Sequence, residues 1–453
     1  MKNVILLLLL IIPISSLFSQ HKIQIIGIDA SVVEYSVNDI SNISFNLSSI
    51  TIVKVNHSDN IEDEIEINSD SEITFTEDLA VFKGIESTLE FSLEDINSIK
   101  FENTEIENLY PFGELDVDQI IVDNLDNPWS IDFIDDDNLI FTEKDGRLFR
   151  YNLIEGELSQ IQGLPNIANT GQGGLLDVTL HPDFTENSLV YLVYSVGENQ
   201  VFTTAVGRGT LVDNQLLNFE ELFRGDPLLS GGQHFGSRII FDNNNKLYFA
   251  IGDRGRMDNA QDSTNHYGSV LRINDDGSIP DDNPYLNAKD AKPELYTMGN
   301  RNIQGMFYLD TKDEIWAIEH GPRGGDELNL IKPGENYAWP LATFGINYNG
   351  TPITEQTSIP GYIDPITYWV PSIAPCGMDL INYDESTNEL DIIIATLAGT
   401  HLHRIKVKDY KVTETVMSLE SYARFRDVQL STNGYLYATT QNPGRIIRLK
   451  TKE

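Results

Sequence analysis

The segment Gly231–Arg238 (GGQHFGSR) places an imidazole and a guanidinium among glycines, just before an apolar stretch that predicts a strand. Histidine is the side chain best suited to accept a proton near neutral pH. The neighbouring glycines allow a flat ligand to approach the backbone closely. The segment therefore predicts that His234 is a general base presented to a substrate, with a buried structural histidine as the alternative.

Fixed positive charges and amide groups occur in other loop segments of the chain. Because guanidinium groups form paired hydrogen bonds with carboxylates, such a set of side chains is expected to bind a planar polycarboxylate. Arginines that lie on the surface or bridge neighbouring sheets are the alternative. The side chains concerned are Gln172, Arg301, Asn302, Arg424 and Arg426.

The loop Glu319–Glu327 (EHGPRGGDE) combines three carboxylates with several glycines and a proline. Gly-Pro turns leave carbonyl oxygens free, and Ca²⁺ prefers carboxylate and carbonyl oxygens as ligands. A calcium site is one interpretation of this loop, and an ordinary solvated turn is the other.

After residue 118 the chain repeats a pattern in which an apolar strand leads to an Asp/Asn/Gly turn and a second strand. Six such units, spaced by about 45 to 70 residues, predict an all-β fold, a six-bladed β-propeller. A strand near Gln119–Val122 would complete the last blade and remove an exposed sheet edge. Loops from different blades meet at one end of a propeller, so distant polar segments are expected to form one site. The units are Trp129–Tyr151, Leu175–Tyr194, Arg238–Gly252, Gly305–Glu319, Gly377–Val407 and Arg426–Leu449.

The N-terminal region differs from the rest of the chain. Residues 1–19 contain an apolar run followed by small residues, which predicts a signal peptide and export to the periplasm or the extracellular space. Residues 20–104 contain a short internal repeat, Val33–Phe45 echoed by Leu89–Phe101, that predicts a small β-rich module. Residues 105–117 are interpreted as a linker, and residues 118–453 as the propeller.

Composition excludes some classes of partner. The 453 residues include 31 Lys and Arg against 69 Asp and Glu, a formal net charge of −38, which makes nucleic acid an improbable partner. No segment approaches the roughly 18 continuous apolar residues of a membrane span. The single cysteine, Cys376, excludes an internal disulfide and is interpreted as a small buried side chain.

Nine motifs, in order, resemble those of the soluble PQQ-dependent sugar dehydrogenases (the glucose/sorbosone dehydrogenase group), and most closely the aldose sugar dehydrogenases. The resemblance covers about residues 120–450. The motifs are NPWSIDF, GQGGLLDVTLHPDF, GGQHFGSRIIF, AIGDRGRMDNAQD, MGNRNIQGMFY, EHGPRGGDELNLIKPGENYAWP, YWVPSIAPCGM, TLAG and RFRDVQ.

The resemblance implies a propeller that binds pyrroloquinoline quinone (PQQ) and Ca²⁺. It implies that His234 takes the proton of the anomeric hydroxyl and that Arg301 stabilises negative charge on the quinone. It assigns Gln172, Gln233 and Trp369 to the substrate. The implied cofactor-binding residues are Gln172, Arg301, Asn302, Leu397, Ala398, Arg424 and Arg426. The implied metal ligands are Gly321, Pro322, Glu327 and Tyr337.

The expected function is therefore oxidation of aldose sugars to lactones by an exported dehydrogenase that passes electrons to an external acceptor, a quinone or a cytochrome. Gln233 replaces an acid of the glucose-specific branch, so broad sugar specificity is expected. Two alternatives come from other classes. One is a non-catalytic extracellular binding propeller, and the other is a calcium-dependent lactonase, which would need a carboxylate-ligated metal in the central channel.

Overall fold

The structure is a computed structural model that describes residues 109–452 continuously and, before them, the backbone of ten strands between residues 8 and 103. The chain forms two compact units, Met1–Leu109 and Tyr110–Glu453. Among the residues described, no helix is long and apolar enough to cross a membrane.

The ten N-terminal strands form two sheets, with strand orders β3-β2-β1-β10-β5-β6 and β4-β7-β8-β9. Each copy of the internal repeat contains two strands, and these two strands lie in different sheets instead of pairing with each other. Strand β1 lies within residues 1–19, whose role as a signal peptide stays a prediction. The strands are β1 (Leu8–Ile11), β2 (Lys22–Ile26), β3 (Val32–Ser36), β4 (Asn42–Ser44), β5 (Thr51–His57), β6 (Glu62–Ile67), β7 (Glu72–Phe75), β8 (Leu79–Lys83), β9 (Thr88–Ser92) and β10 (Ile96–Asn103).

The second unit consists of six antiparallel sheets and confirms the predicted six-bladed β-propeller. The closing strand is β11 (Leu115–Leu125). Blade 1 contains β12 (Pro128–Asp135), β13 (Asn138–Glu143), β14 (Arg147–Asn152) and β15 (Leu158–Ile161); blade 2 contains β16 (Leu175–Leu180), β17 (Leu189–Glu198), β18 (Val201–Val212), β19 (Gln215–Arg224) and β20 (Leu229–Ser230); blade 3 contains β21 (Ile239–Phe241), β22 (Lys246–Ile251) and β23 (Ser269–Asn274). Blade 4 contains β24 (Ile303–Leu309), β25 (Glu314–Glu319), β26 (Asp326–Ile331) and β27 (Thr367–Trp369); blade 5 contains β28 (Pro375–Asp384), β29 (Glu389–Thr396), β30 (Leu402–Lys408) and β31 (Lys411–Ser418); blade 6 contains β32 (Arg424–Leu430), β33 (Leu436–Gln441) and β34 (Gly444–Thr451). Within residues 109–452 the helical segments are α1 (Phe184–Asn187) and a 3-10 turn (Met257–Gln261).

The ring is closed by the N-terminal strand of the propeller. Strand β11 pairs with β34, with Gln119 opposite Arg448 and Ile120 opposite Ile447, so the predicted completion of the last blade is confirmed. A sheet edge that is paired in this way offers no free hydrogen-bonding groups to another chain.

Part of the predicted linker, residues 105–117, belongs to the propeller. Tyr110 is buried, and its hydroxyl donates to the carbonyl of Leu449 and accepts from the N–H of Leu436. The buried guanidinium of Arg404 donates to the carbonyl oxygens of Tyr110 and Pro111. The acidic composition of this segment and its Pro-Gly break hid these contacts, which depend on partners about 300 residues away in the sequence.

The hydrophobic core lies between the blades. The second strand of a blade is buried on both faces, as in β13 and β33, whose residues are all buried. Six apolar clusters within residues 109–452 each join two successive blades, and the cluster between blades 6 and 1 includes Val122 of the closing strand. Burial of this apolar area is the main favourable contribution to folding.

Four aspartates of the innermost strands link neighbouring blades of the ring. Each accepts a hydrogen bond from a backbone N–H of the next blade, which leaves no unpaired donor in the channel at that point. The pairs are Asp427 with Ile131, Asp132 with Leu180, Asp177 with Ile239 and Asp379 with Leu430, at 2.7–3.1 Å.

We expect Tyr110→Phe to lower the free energy of unfolding by about 1–3 kcal/mol, because it leaves the Leu436 N–H and the Leu449 carbonyl buried without their partner. Urea-induced unfolding measures the change. Tyr348→Phe is the matched control, since that side chain is 73% exposed. Equal stability of the two variants would contradict the role of Tyr110 in closing the ring.

Candidate active site

A cavity of about 570 Å³ lies at one end of the propeller. Its walls come from the starts of first strands and the ends of second strands, which meet at the same edge because neighbouring strands are antiparallel. Six residues singled out in the sequence line it, namely Gln172, Asn302, Leu397, Ala398, Arg424 and Arg426. His234 and Arg301 are not in the wall itself but adjoin it through Phe235, Gly236 and Asn302.

Four cations at this cavity donate only to neutral acceptors. The chain has 69 acidic and 31 basic residues, so a lysine or arginine is normally paired with a carboxylate. Within residues 109–452 none of these four cations forms a salt bridge. Such a set is suited to an anionic ligand. The donors and acceptors are Lys144 with the Asn169 amide, Arg301 with the His320 carbonyl, Arg424 with the Leu397 carbonyl and Arg426 with the Gln304 amide.

Two of these guanidiniums carry a buried N–H without a partner. The Nε atoms of Arg301 and Arg426 have no hydrogen-bond partner among the described residues. Burial lowers the pKa of Arg426 from its ordinary value. Buried donors are normally satisfied, so these atoms fit the oxygen atoms of a bound polycarboxylate or quinone.

The His234 imidazole forms a hydrogen bond with a buried carboxylate. Its Nδ1 lies 2.5 Å from Oδ1 of Asp253, whose Oδ2 accepts from the indole N–H of Trp339 at 2.9 Å. Although burial alone would raise it, the hydrogen bond and charge of His234, with the nearby charge of Arg301, hold the pKa of Asp253 below its usual value. The ionised Asp253 fixes the proton on Nδ1, and Nε2 is left as the nitrogen that accepts a proton.

The loop that carries His234 is held from several directions. His234 has a positive φ of 49°, and its backbone N–H donates to Oε1 of Gln172 at 2.7 Å. The buried guanidinium of Arg254 donates to the carbonyl oxygens of Gly231 and Gln233 and lies over the Phe235 ring. A strained backbone that is fixed by its surroundings is common at functional sites.

One buried carboxylate sets the position of Arg301. Oε2 of Glu319 accepts from the backbone N–H of Arg301 and from that of Asn302, and its Oε1 accepts from the Asn300 and Asn329 amides. Four donors on a single carboxylate hold the loop before β24 rigidly against the end of β25.

Two carboxylates face each other beneath this loop. Glu319 and Glu327 are directly opposite on β25 and β26, and burial raises the pKa of each, with the charge of Glu319 adding to the effect on Glu327. A small cavity of about 10 Å³, the size of one water or ion, is lined by both and by Gly321. Asn329 adds a buried amide oxygen without a partner. Two carboxylates that face each other across paired strands need a shared proton or a cation between them.

The other predicted metal ligands differ in what they can offer. Within residues 109–452 the carbonyl oxygens of Gly321 and Pro322 accept no hydrogen bond. The Tyr337 hydroxyl is already engaged, because it donates to the Leu330 carbonyl and accepts from the Lys332 N–H. Tyr337 could therefore reach a metal only through its backbone. No group of three or more His, Cys, Asp or Glu side chains converges on one point in the described part of the chain.

The family model for glucose/sorbosone dehydrogenases matches residues 125–448. The chain belongs to this family.

Two members illustrate the similarity. The aldose sugar dehydrogenase YliI of Escherichia coli is 37% identical over 343 residues, which are 74% of this chain and 92% of that protein. The PQQ-bound form of an aldose sugar dehydrogenase from Streptomyces coelicolor superposes with a TM-score of 0.63 and 28% identity, over 75% of this chain and 98% of that one.

Two side chains that family resemblance assigned to the substrate lie outside the cavity wall. Trp369 is on the outermost strand of blade 4, and its indole N–H donates to Nε2 of His403 at 3.3 Å. Gln233 is exposed and sits beside Gly255. Neither side chain contributes to the 570 Å³ cavity.

Sequence reasoning missed three residues of this glucose/sorbosone dehydrogenase-family site, Lys144, Asp253 and Arg254, and also the contact of Glu319 with the backbone of Arg301. Asp253 and Arg254 follow the apolar strand β22 after one intervening residue, Gly252, in the motif AIGDRGRMDNAQD. The sequence signal that could have identified Asp253 is an acidic residue just after a second strand. That end of the strand lies at the same edge of the propeller as the candidate base. Glu319 is the last residue of the second strand β25, and Lys144 directly follows the second strand β13.

We expect His320 to stay neutral from pH 8 to pH 5, since burial and the charges of Arg426 and Arg301 lower its pKa to about 3. An unfolded histidine binds a proton below about pH 6.5, so this group removes stability as pH falls from about 6.5 towards 3. NMR titration of the ring resonances, assigned by comparison with His320→Gln, measures the ionisation. A His320 midpoint near 6.5 would contradict the burial argument.

Proposed function

We propose that this protein oxidises aldose sugars at the anomeric carbon to lactones, with PQQ and Ca²⁺ as cofactors. The observation that carries the proposal is the joint presence, at one cavity, of unpaired cations and of a His234–Asp253 pair. A site that only bound an anion would have no use for a base whose tautomer is fixed by a buried carboxylate.

The residues of the cavity fit PQQ, a flat tricarboxylate with a quinone. Arg424 and Arg426 would bind its carboxylates, and Arg301 and Asn302 would lie at the quinone oxygens. Gln172 would lie between cofactor and substrate. When bound, PQQ supplies an acceptor for the two electrons and the hydrogen that leave the anomeric carbon. The relatives support this assignment, because one of them is a PQQ-bound aldose sugar dehydrogenase.

His234 would act as the general base. Its Nε2 would accept the proton of the anomeric hydroxyl, while Asp253 stabilises the positive charge that forms on the ring. The loop contacts of Gln172 and Arg254 hold the imidazole in place before the substrate binds. Pre-organisation of this kind avoids the cost of ordering the base during the reaction.

Arg301 would stabilise negative charge that develops on the quinone side of the cavity. Its guanidinium is held over the Trp339 ring at 5.3 Å, and its backbone is fixed by Glu319. A donor fixed in a dry site stabilises developing charge more than the same donor in water.

Calcium fits two positions. The Gly321 and Pro322 carbonyls would present oxygen atoms at the cavity, as the family resemblance implies. Glu327 and Glu319 would offer anionic oxygens in the wall of a space for one ion.

Export and the electron acceptor complete the proposal. The apolar run near the N-terminus supports export to the periplasm or the extracellular space. The external acceptor would be a quinone or a cytochrome. A net charge of −38 disfavours acceptors that are themselves strongly anionic.

The calcium-dependent lactonase alternative depends on whether carboxylates in the central channel are free to bind a metal. The channel contains carboxylates, those of Asp132, Asp177, Asp379 and Asp427. Their oxygens already accept backbone N–H groups of neighbouring blades or the Arg238 guanidinium. These contacts favour a structural role for the four aspartates.

Reduction of an electron-accepting dye by the purified apo-protein, with a panel of aldoses, tests the proposal. We expect activity only after PQQ and Ca²⁺ are added. His234→Ala should lower the rate by at least about 100-fold and Asp253→Asn by less, because the base is lost in one case and only misoriented in the other. The PQQ-induced absorbance change should survive in both variants, which shows that the cofactor site is intact. If wild type shows neither activity nor that absorbance change, the binding-propeller alternative is favoured.

Calcium binding is tested by thermal unfolding of EGTA-treated protein. We expect Ca²⁺ at about 100 times its Kd to stabilise the fold by about 2.7 kcal/mol, and Mg²⁺ to do so less. Glu327→Gln should abolish most of the shift, because it removes one of two facing carboxylates. Glu355→Gln, at an exposed carboxylate, is the control. An unchanged calcium shift in Glu327→Gln would contradict this site.

A further inference from the structure

Lys144 is a third cation in the cavity wall, besides Arg424 and Arg426. It follows β13 directly, in blade 1, whereas both arginines lie on β32 of blade 6. The loop Leu397–Gly399 of blade 5, which also borders the cavity, carries no charged side chain. Cations therefore reach this space from blades 1 and 6.

The backbone of Lys144 is fixed between two blades. Its N–H donates to the Asn127 carbonyl and its own carbonyl accepts from the Leu175 N–H, both at 3.1 Å. A Cβ on Gly174 would lie only 1.9 Å from the Lys144 carbonyl oxygen, so the two segments approach as closely as the absence of a side chain permits. This packing fixes where the lysine side chain starts.

The charge of Lys144 has no local counterion. Its Nζ lies 2.9 Å from Oδ1 of Asn169, a neutral acceptor, and it forms no salt bridge within residues 109–452. The neighbouring carboxylates Glu143 and Asp145 are paired with Arg147, at 2.7 and 2.8 Å. Burial and the positive charge of Arg426 both lower the pKa of Lys144. Two cations that repel each other across a cavity are stabilised by an anion between them.

We propose that Lys144 binds a carboxylate of the cofactor, as a point charge supplied by blade 1 in the same cavity wall as the guanidiniums of Arg424 and Arg426. The inference rests on the proposed function, because it takes PQQ as the anion. A tricarboxylate has a group for each of three separated cations. An ammonium adds charge without the geometric demands of a guanidinium.

Titration of apo-protein with PQQ, followed by the absorbance change, gives the Kd and tests the proposal without turnover. We expect Lys144→Met to weaken binding by about tenfold or more and to reduce the dependence of Kd on salt, because one charged hydrogen bond is lost. Lys144→Arg should restore most of the affinity. Lys411→Met, at an exposed lysine of β31, is the control and should bind as wild type does.

Asn169→Ala separates a binding role from a positioning role. This variant removes the partner of the ammonium but keeps its charge, so we expect it to bind PQQ nearly as well as wild type. Equal weakening in Asn169→Ala and Lys144→Met would overturn the proposal, since Lys144 would then act by holding the loop of Gln172. If wild type binds PQQ and Lys144→Met binds it equally well, the role of Lys144 fails while the proposed function stands. If wild type does not bind PQQ, both fail.

Discussion

A single buried guanidinium, that of Arg238, holds the centre of the propeller together. It donates to Asp177 of blade 2 at 2.8 Å and to Asp427 of blade 6 at 3.2 Å, and it lies 4.9 Å from the centre of the Trp129 ring of blade 1. Removing one partner of such a buried pair leaves an uncompensated charge, which is strongly destabilising. Blades that are remote in sequence are thereby joined at one point on the channel axis.

The position of the candidate active site depends on the contacts of Arg238. His234 lies four residues before Arg238 on the same segment, so the loop of the base extends from a strand whose start is fixed. Trp129, which contacts Arg238, also lies 5.3 Å from the Arg426 guanidinium in the cavity wall. Trp129 therefore contacts one guanidinium that is paired with aspartates and another that forms no salt bridge within residues 109–452. Arginine serves both as a structural cation, in Arg238, and as a candidate ligand-binding cation, in Arg426. Only the structural arginine is paired with an aspartate.

The sequence was most informative about features that are local or periodic. Strand-turn-strand units predicted the number of blades, because an apolar alternation between Asp/Asn/Gly turns is a local property. Glycines around His234 and arginines in loops indicated the candidate site for the same reason. Contacts such as Asp253 with His234, Arg254 with the carbonyls of its loop, and Glu319 with the backbone of Arg301 depend on which ends of different strands meet. A pattern of residue types does not contain that information.

The segment 110–117 resembled a linker because its partners, including Arg404, lie in a distant blade. The family resemblance assigns Trp369 to the substrate by its position in a motif alone, and the contact of its indole N–H with His403 is not visible in that motif.

The closing strand has a further consequence, for the order in which the chain folds. Tyr110 and Leu449, which are 339 residues apart, form a hydrogen bond within the same blade. Blades 1 to 5 can each form from contiguous residues, whereas blade 6 requires both ends of the propeller. Blade 6 therefore forms last, and its formation carries the entropy cost of closing the whole ring. During synthesis, β11 leaves the ribosome before the rest of the propeller and has no partner until β34 follows. An edge that is protected in the finished molecule is therefore exposed throughout assembly, and it is the part of the chain that would most need shielding from other chains in that interval.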